Sequence, residues 1–131
     1  MLSLNMPESV AIFWFRRDLR LEDNAGLFYA LKSGRPVLPL FIFDTNILEE
    51  LQDPADARVD FIYQSLAALK SELEQLGSSI EIAYGNPLEI WPEIIKNYPV
   101  AAVFTNRDYE PYALDRDRSV ELLLAEKNIP L

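Results

Sequence analysis

The sequence predicts a three-layer α/β domain, with helices on both faces of a mostly parallel sheet. Short apolar runs rich in β-branched and aromatic residues alternate with longer stretches whose apolar residues recur at helical spacing. A continuously apolar run is typical of a strand covered on both faces, and strands that alternate with helices imply right-handed parallel crossovers. Four such strands are predicted, at residues 10–15, 36–43, 80–84 and 100–105. Pro39 inside the second indicates a kink or an edge position.

Helices are predicted at residues 25–33, 54–76, from 87 onward, and from 111 to about 127. The second is the clearest, because Asp53 can cap it, Pro54 suits its first position and Gly77 can end it. Its apolar residues form one stripe at spacings of 3 and 4: Val59, Ile62, Leu66, Leu69, Leu73 and Leu76. The stripe predicts a helix docked on the sheet rather than a coiled coil, because sustained heptads are too few.

The last two helices carry similar signals. Asn86 can cap the third, whose predicted inner face is Leu88, Trp91, Ile94 and Ile95. The fourth should bury Leu114, Val120 and either Leu123 or Leu124. Residues 128–131 fall where the alternation requires another strand, so we expect the chain to stop at or before the fifth strand of a longer protein.

Composition excludes several classes of function. The 131 residues include no Cys and no His, which removes disulfides, thiolate nucleophiles and a Ser-His-Asp triad and disfavours a structural zinc site. A net charge of −9 argues against binding nucleic acid or anionic membranes by bulk charge. The longest apolar run, residues 37–43, is far shorter than the roughly 20 residues of a spanning helix. We therefore expect a soluble, cytoplasmic protein without a metal site.

Polar residues follow the strands at the sheet edge where ligands bind in such folds. They comprise residues 16–24 after the first strand, 44–46 after the second and 106–111 after the fourth. With Phe41, Tyr109 and Tyr112 nearby, they suit a flat conjugated ligand with polar substituents. The alternative is scaffolding, in which Arg17 pairs with Asp44 or Asp108, and residues 23 and 24 only cap a helix. Neither Gly-x-Gly-x-x-Gly nor Gly-Lys-Ser/Thr follows a strand, so a phosphate cradle is not expected.

Residues 14–24, at the end of the first strand and in the loop after it, read WFRRDLRLEDN. This segment resembles the opening signature of the DNA photolyase/cryptochrome family, W-F-R-x-D-L-R-x-x-D-N. Four further segments resemble the family in the same order: LFIFD at 40–44, ARVDF at 57–61, GNP at 85–87, and NRDYEPY at 106–112 followed by Arg116 and Asp117. The resemblance covers nearly the whole chain.

The resemblance implies that residues 1–131 form a Rossmann-like N-terminal domain with a five-stranded sheet in the order 3-2-1-4-5. The full-length protein would be a deoxyribodipyrimidine photo-lyase, whose separate helical domain binds FAD and damaged DNA and repairs it with light. This chain would collect light, lack catalytic residues, be inactive alone, dock on that helical domain and self-associate weakly. The same domain of a cryptochrome photoreceptor and a stand-alone nucleotide-binding module remain alternatives.

The resemblance also indicates a chromophore. The Asn-Glu pair typical of folate-using members is replaced by Tyr112 and Ala113, whereas residues 108–112 are similar to those of deazaflavin-using members. An 8-hydroxy-5-deazaflavin or a flavin is therefore favoured over methenyltetrahydrofolate, with the absence of any antenna as the other alternative. By that resemblance the cofactor-binding residues are Arg17, Phe41, Arg58, Asp108 and Glu110.

Overall fold

A computed structural model describes residues 9–16, 19, 21, 22, 24–45, 57–106 and 111–131, with the backbone alone at 57–60. Four parallel strands form one sheet in the order β3-β2-β1-β4. They are β1 (Val10–Phe15), β2 (Val37–Asp44), β3 (Glu81–Gly85) and β4 (Val100–Phe104). The helices are α1 (Ala25–Lys32), α2 (Ala57–Gln75), α3 (Pro87–Asn97) and α4 (Pro111–Ala125). The predicted α/β class, its elements and the order of the first four strands are confirmed.

The predicted fifth strand is not formed in the described part of the chain. Residues 129–131 instead run beside the free edge of β4, where the backbone N–H of Val103 donates to the carbonyl oxygen of Pro130 at 2.9 Å. Pro130 has no N–H with which to return a bond, so a regular ladder cannot start at this residue.

Pro39 lies in the interior strand β2 at a position that pairs with a neighbouring strand on one side and not on the other. β2 pairs with β1 on one side and with β3 on the other. Pro39 faces Phe13 of β1, but pairing with β3 starts only at Leu40. The proline therefore lies where β2 has one neighbour, and its missing N–H costs no bond to β3.

Two apolar layers hold the helices to the sheet. On one face Trp14 of β1 meets Trp91 of α3 edge-on at 5.4 Å between ring centroids, among residues from α3 and α4. On the other face Phe13, Phe15, Phe41 and Phe43 pack against side chains of α1 and α2. This confirms the three-layer arrangement, and both layers extend to the strand ends.

Three predicted core positions are wrong, and each lies at the start or end of its apolar stripe. Leu76 is 71 % exposed because α2 has ended before it and Gly77, at φ +80°, turns the chain away. Leu88 and Leu114 are exposed as well, while the inner faces of α3 and α4 are formed by Pro87, Trp91, Ile94, Ala113, Val120 and Leu124. At Leu88 and Leu114 the hydrophobic pattern favoured the larger residue of an adjacent pair. The orientation of each helix instead buries the smaller neighbour, Pro87 or Ala113.

Candidate functional site

The candidate site lies at the carboxyl end of the sheet, where β1, β2 and β4 stop side by side. We define the strand-exit site as the described polar residues there: Arg16, Asn24, Asp44, Asn106, Tyr112, Arg116 and Asp117. Asn24 and Asp44 are the two polar or charged residues buried in the described part of the chain. Burying such groups is costly unless they are paired, so their partners determine what the site can do.

An amide clasp joins the start of α1 to the end of β4. The Asn24 side-chain oxygen caps α1 by accepting from the backbone N–H of Leu27 at 3.1 Å, and it also accepts from Asn106 Nδ2 at 2.7 Å. Asn106 Oδ1 in turn accepts from the backbone N–H of Gly26 at 2.7 Å. A Cβ on Gly26 would lie 2.7 Å from Asn106 Oδ1 and 2.7 Å from Phe13 Cε1, so only glycine permits this approach.

A second group of contacts joins α4 to the ends of β1 and β2. Asp44 Oδ2 accepts from the Tyr112 hydroxyl at 2.7 Å and from Arg116 Nη1 at 3.4 Å. Arg116 also reaches Asp117 Oδ1 at 3.3 Å through Nε and Nη2, and Asp117 pairs with Arg16. Arg16 further donates to the carbonyl oxygen of Asn106. The two arginines and two aspartates carry formal charges that cancel, which allows them to be buried together.

Both guanidinium groups lie over the indole of Trp14. The Arg16 and Arg116 Cζ atoms are 5.3 and 5.1 Å from the ring centroid, and Thr105 Oγ1 donates to the Trp14 carbonyl oxygen at 2.8 Å. Cation–π contacts of this kind strengthen when they are desolvated. Trp14 therefore connects the apolar core on this face to the charged groups at the strand exits.

A cluster of aromatic rings occupies the opposite face at the ends of β2 and β3. Phe41 and Phe43 meet edge-on at 4.8 Å, and Phe43 is stacked with Tyr63 of α2 at 4.9 Å and with Tyr84 of β3 at 4.7 Å. Phe43 faces Tyr84 directly across the β2–β3 ladder. The two phenylalanines are buried, whereas the two tyrosines are exposed and their hydroxyl groups hydrogen-bond to each other.

The cofactor-binding residues inferred from the family resemblance fall mostly outside the described residues. Arg17, Asp108 and Glu110 lie there, and Arg58 falls in α2 where only the backbone is described. Phe41 is 5 % exposed, so it forms a floor rather than an open stacking surface. The scaffolding interpretation is confirmed for the Asn24 cap.

Sequence reasoning missed the described partner of Asp44. The candidate named for it was Arg17, which lies outside the described residues, and its described cationic partner is Arg116 of α4. The signal was present, because Arg116 and Asp117 belong to the segment that resembles the family. In the described residues no group of three or more acidic side chains is placed to hold a metal ion, and no helix has the length and apolarity to cross a bilayer.

Comparison with known proteins identifies the family. The DNA photolyase family model matches residues 11–131. A deoxyribodipyrimidine photo-lyase of Synechococcus is 37 % identical over 118 residues, covering 90 % of this chain and 24 % of that protein. An uncharacterized 31.6 kDa protein of another Synechococcus strain is 39 % identical over 124 residues, covering 95 % of this chain and 43 % of the relative.

Solved structures show the same relationship. The class III photolyase of Agrobacterium tumefaciens superimposes with a TM-score of 0.80 at 30 % identity, covering 95 % of this chain and 25 % of that one. The archaeal photolyase of Sulfolobus tokodaii superimposes with a TM-score of 0.78 at 33 % identity, covering 92 % of this chain and 28 % of that one. It was solved with two FAD molecules and is described as implying a novel light-harvesting cofactor. This chain thus spans about a quarter of the photolyases it resembles. It belongs to the DNA photolyase family, whose N-terminal α/β domain it forms.

Proposed function

We propose that this domain binds the light-harvesting chromophore of a light-driven DNA repair enzyme, a deoxyribodipyrimidine photo-lyase. The observation that carries the proposal is the 33 % identity and matching fold of the Sulfolobus tokodaii photolyase, whose structure contains two FAD molecules and is described as implying a novel light-harvesting cofactor. The repeated photo-lyase name among the curated relatives supports the activity of the whole protein. The chromophore would absorb light and pass the energy to a redox flavin elsewhere in that protein.

A flavin or deazaflavin fits the chemistry at the strand exits. A tricyclic ring needs an apolar surface and a few groups that bind its polar edge, and in this proposal the buried Phe41 is part of the apolar floor beneath the ring. Arg16 and Asp44 already bind the α4 residues Arg116 and Asp117. Contacts to the chromophore would therefore come from the remaining residues that the resemblance names. In this proposal Arg17 and Arg58 orient the ligand, while Asp108 and Glu110 accept hydrogen bonds from ring N–H or ribityl hydroxyl groups.

A titration tests the chromophore. Protein is mixed with 8-hydroxy-5-deazaflavin, FMN or methenyltetrahydrofolate, and binding is followed by the quenching and polarisation of ligand fluorescence. We expect the deazaflavin or FMN to bind and Arg58→Ala to weaken binding. Arg118→Ala, which removes the same charge from an exposed position of α4, is the matched control. Binding of none of the three ligands, or equal effects of the two substitutions, would refute the proposed site.

This chain covers about a quarter of its photo-lyase relatives, and we infer that the repair activity also requires the rest of such a protein. We infer that a helical domain binds FAD and damaged DNA and docks on this domain, and that this chain alone does not repair DNA. The net charge of −9 supports this division, because DNA binding relies on cationic side chains. Adding the chain to ultraviolet-damaged DNA under blue light should leave the pyrimidine dimers intact, and measurable repair would overturn the division.

A cryptochrome photoreceptor is the second candidate. The cryptochrome of Synechocystis superimposes with a TM-score of 0.80 at 26 % identity over 95 % of this chain. The identities to photo-lyases are higher, at 32 to 37 % for three curated relatives. Repair of pyrimidine dimers by the full-length protein would support the photolyase, whereas bound flavin without repair would favour the photoreceptor.

A further inference from the structure

Two exposed tyrosines meet at the surface between α2 and β3. Tyr63 is 45 % and Tyr84 54 % exposed, and their hydroxyl groups are hydrogen-bonded to each other. Both rings stack on the buried ring of Phe43, at 4.9 and 4.7 Å between centroids. Three elements therefore hold the two phenols in contact with each other, and both side chains remain exposed to solvent.

The environment of Tyr84 favours its protonated form. The hydrogen bond to Tyr63 raises the pKa of Tyr84, with smaller contributions from burial and from the charge of the neighbouring phenolate. Two neutral phenols do not repel each other. Removal of one electron together with the phenolic proton from either then gives a neutral tyrosyl radical.

We propose that Tyr63 and Tyr84 are an oxidative modification site, at which one-electron oxidants convert the pair to an intramolecular dityrosine. A photoexcited flavin is the class of oxidant we name. Each of two excited flavins takes one electron and one proton from one tyrosine, which gives two flavin semiquinones and two tyrosyl radicals. The radicals join by a carbon–carbon bond between the ring carbons next to the hydroxyl groups, and the rings regain aromaticity by moving those two hydrogens to the oxygens. The protein loses two hydrogen atoms in total.

Proximity favours coupling within one molecule over coupling between molecules. The two phenols are already adjacent, so the second step is intramolecular and benefits from a high effective concentration. A net charge of −9 opposes the encounter of two copies. Tyr29 provides a comparison, because it is 61 % exposed yet its described ring contact is Phe28, at 5.6 Å, rather than another tyrosine.

The test is illumination of the 131-residue chain with free riboflavin under argon, so that the outcome does not depend on the antenna site. Dityrosine fluorescence is measured separately in the monomer and dimer bands of a denaturing gel. N-acetyltyrosinamide in a parallel tube shows that the light and flavin produce coupling. The monomer band is digested and searched by mass spectrometry for a peptide pair joined through Tyr63 and Tyr84, lighter by two hydrogen atoms.

We expect dityrosine in the monomer band, lost in Tyr63→Phe and in Tyr84→Phe and retained in Tyr29→Phe. Phenylalanine keeps the ring on Phe43, so the fold is preserved, and the peptide map of the unaltered chain stands independently of the variants. The proposal is overturned if dityrosine is confined to dimers, if Tyr29→Phe removes it from monomers, if the joined peptides contain other tyrosines, or if the free tyrosine couples and the protein does not.

Discussion

Replacement of Asp44 by alanine should destabilise the domain strongly, because this carboxylate joins β2 to α4. It is buried and accepts the Tyr112 hydroxyl at 2.7 Å and Arg116 Nη1 at 3.4 Å. Its removal leaves two guanidinium groups and one carboxylate among the four charged side chains described here. A buried hydrogen bond to a charged group contributes about 1.5–3 kcal/mol, and loss of one partner of a buried ion pair costs about 3–5 kcal/mol.

Arg116 keeps Asp117 at 3.3 Å, so we expect Asp44→Ala to cost about 3 kcal/mol, the low end of that range. For a domain of this size the loss corresponds to a melting temperature lower by roughly 9–15 °C. Asp44→Asn should cost less than Asp44→Ala, because the amide keeps an oxygen for the Tyr112 hydroxyl while losing the charge that Arg116 requires. The order of the two variants therefore separates the hydrogen bond from the ion pair.

Urea unfolding followed by circular dichroism measures these losses, with an unchanged slope as evidence that the native and unfolded states are otherwise alike. Asp115→Ala is the matched control, because it removes the same charge from an exposed position of α4 and should change stability by less than about 0.5 kcal/mol. A loss below about 1 kcal/mol for Asp44→Ala would show that the carboxylate does not hold α4 to the sheet.

Three further outcomes are expected. Gly26→Ala should cost about 1–3 kcal/mol in urea unfolding, despite the better helix propensity of alanine, because its Cβ would lie 2.7 Å from Asn106 Oδ1; a stabilised variant would contradict the close approach. Leu69→Ala should cost about 2–5 kcal/mol and Leu76→Ala little, since the first is buried and the second exposed, and equal losses would misplace the inner face of α2. Burial, and then a nearby carboxylate of β3, raise the pKa of Tyr98 above its ordinary value of 10.0. Since the folded state holds that proton more tightly, Tyr98 lowers stability as pH rises through 10 and beyond, and Tyr98→Phe should reduce this alkaline loss in unfolding curves measured against pH.

The strands were predictable because their signal is local. Each apolar run specifies a buried strand by itself, and alternation with helices then restricts the topology to a few arrangements. Trp14 and Leu69 lie in the core as their patterns require. The exposure of Leu114 was not predictable from the sequence. Ala113 and Leu114 are adjacent, and which of the two is buried depends on how α4 is rotated about its axis against the sheet.

Contacts between residues that are far apart along the chain could not be predicted from the sequence, for a different reason. Asp44 and Arg116 are separated by 72 positions, and their pairing depends on where α4 crosses the strand ends. The contact of Tyr63 with Tyr84 likewise depends on the β2–β3 register, which sets Tyr84 beside Phe43. No local pattern encodes either distance, so sequence reasoning named the right residue types at this sheet edge without naming Arg116 as a partner of Asp44.

The contacts at the strand exits separate residues that stabilise the domain from residues that are proposed to bind the chromophore. The stability and binding experiments can therefore be compared. Asp44 and Arg116 are bound to each other and to α4 side chains, so their replacement should loosen the frame and weaken chromophore binding together. Arg58 is proposed to contact the chromophore, so Arg58→Ala should weaken binding while the urea midpoint stays within the range of a surface substitution. If Arg58→Ala instead lowered stability as far as Asp44→Ala, the residues inferred from the family would be part of the frame, and the proposed chromophore contacts would have to be sought elsewhere on the domain.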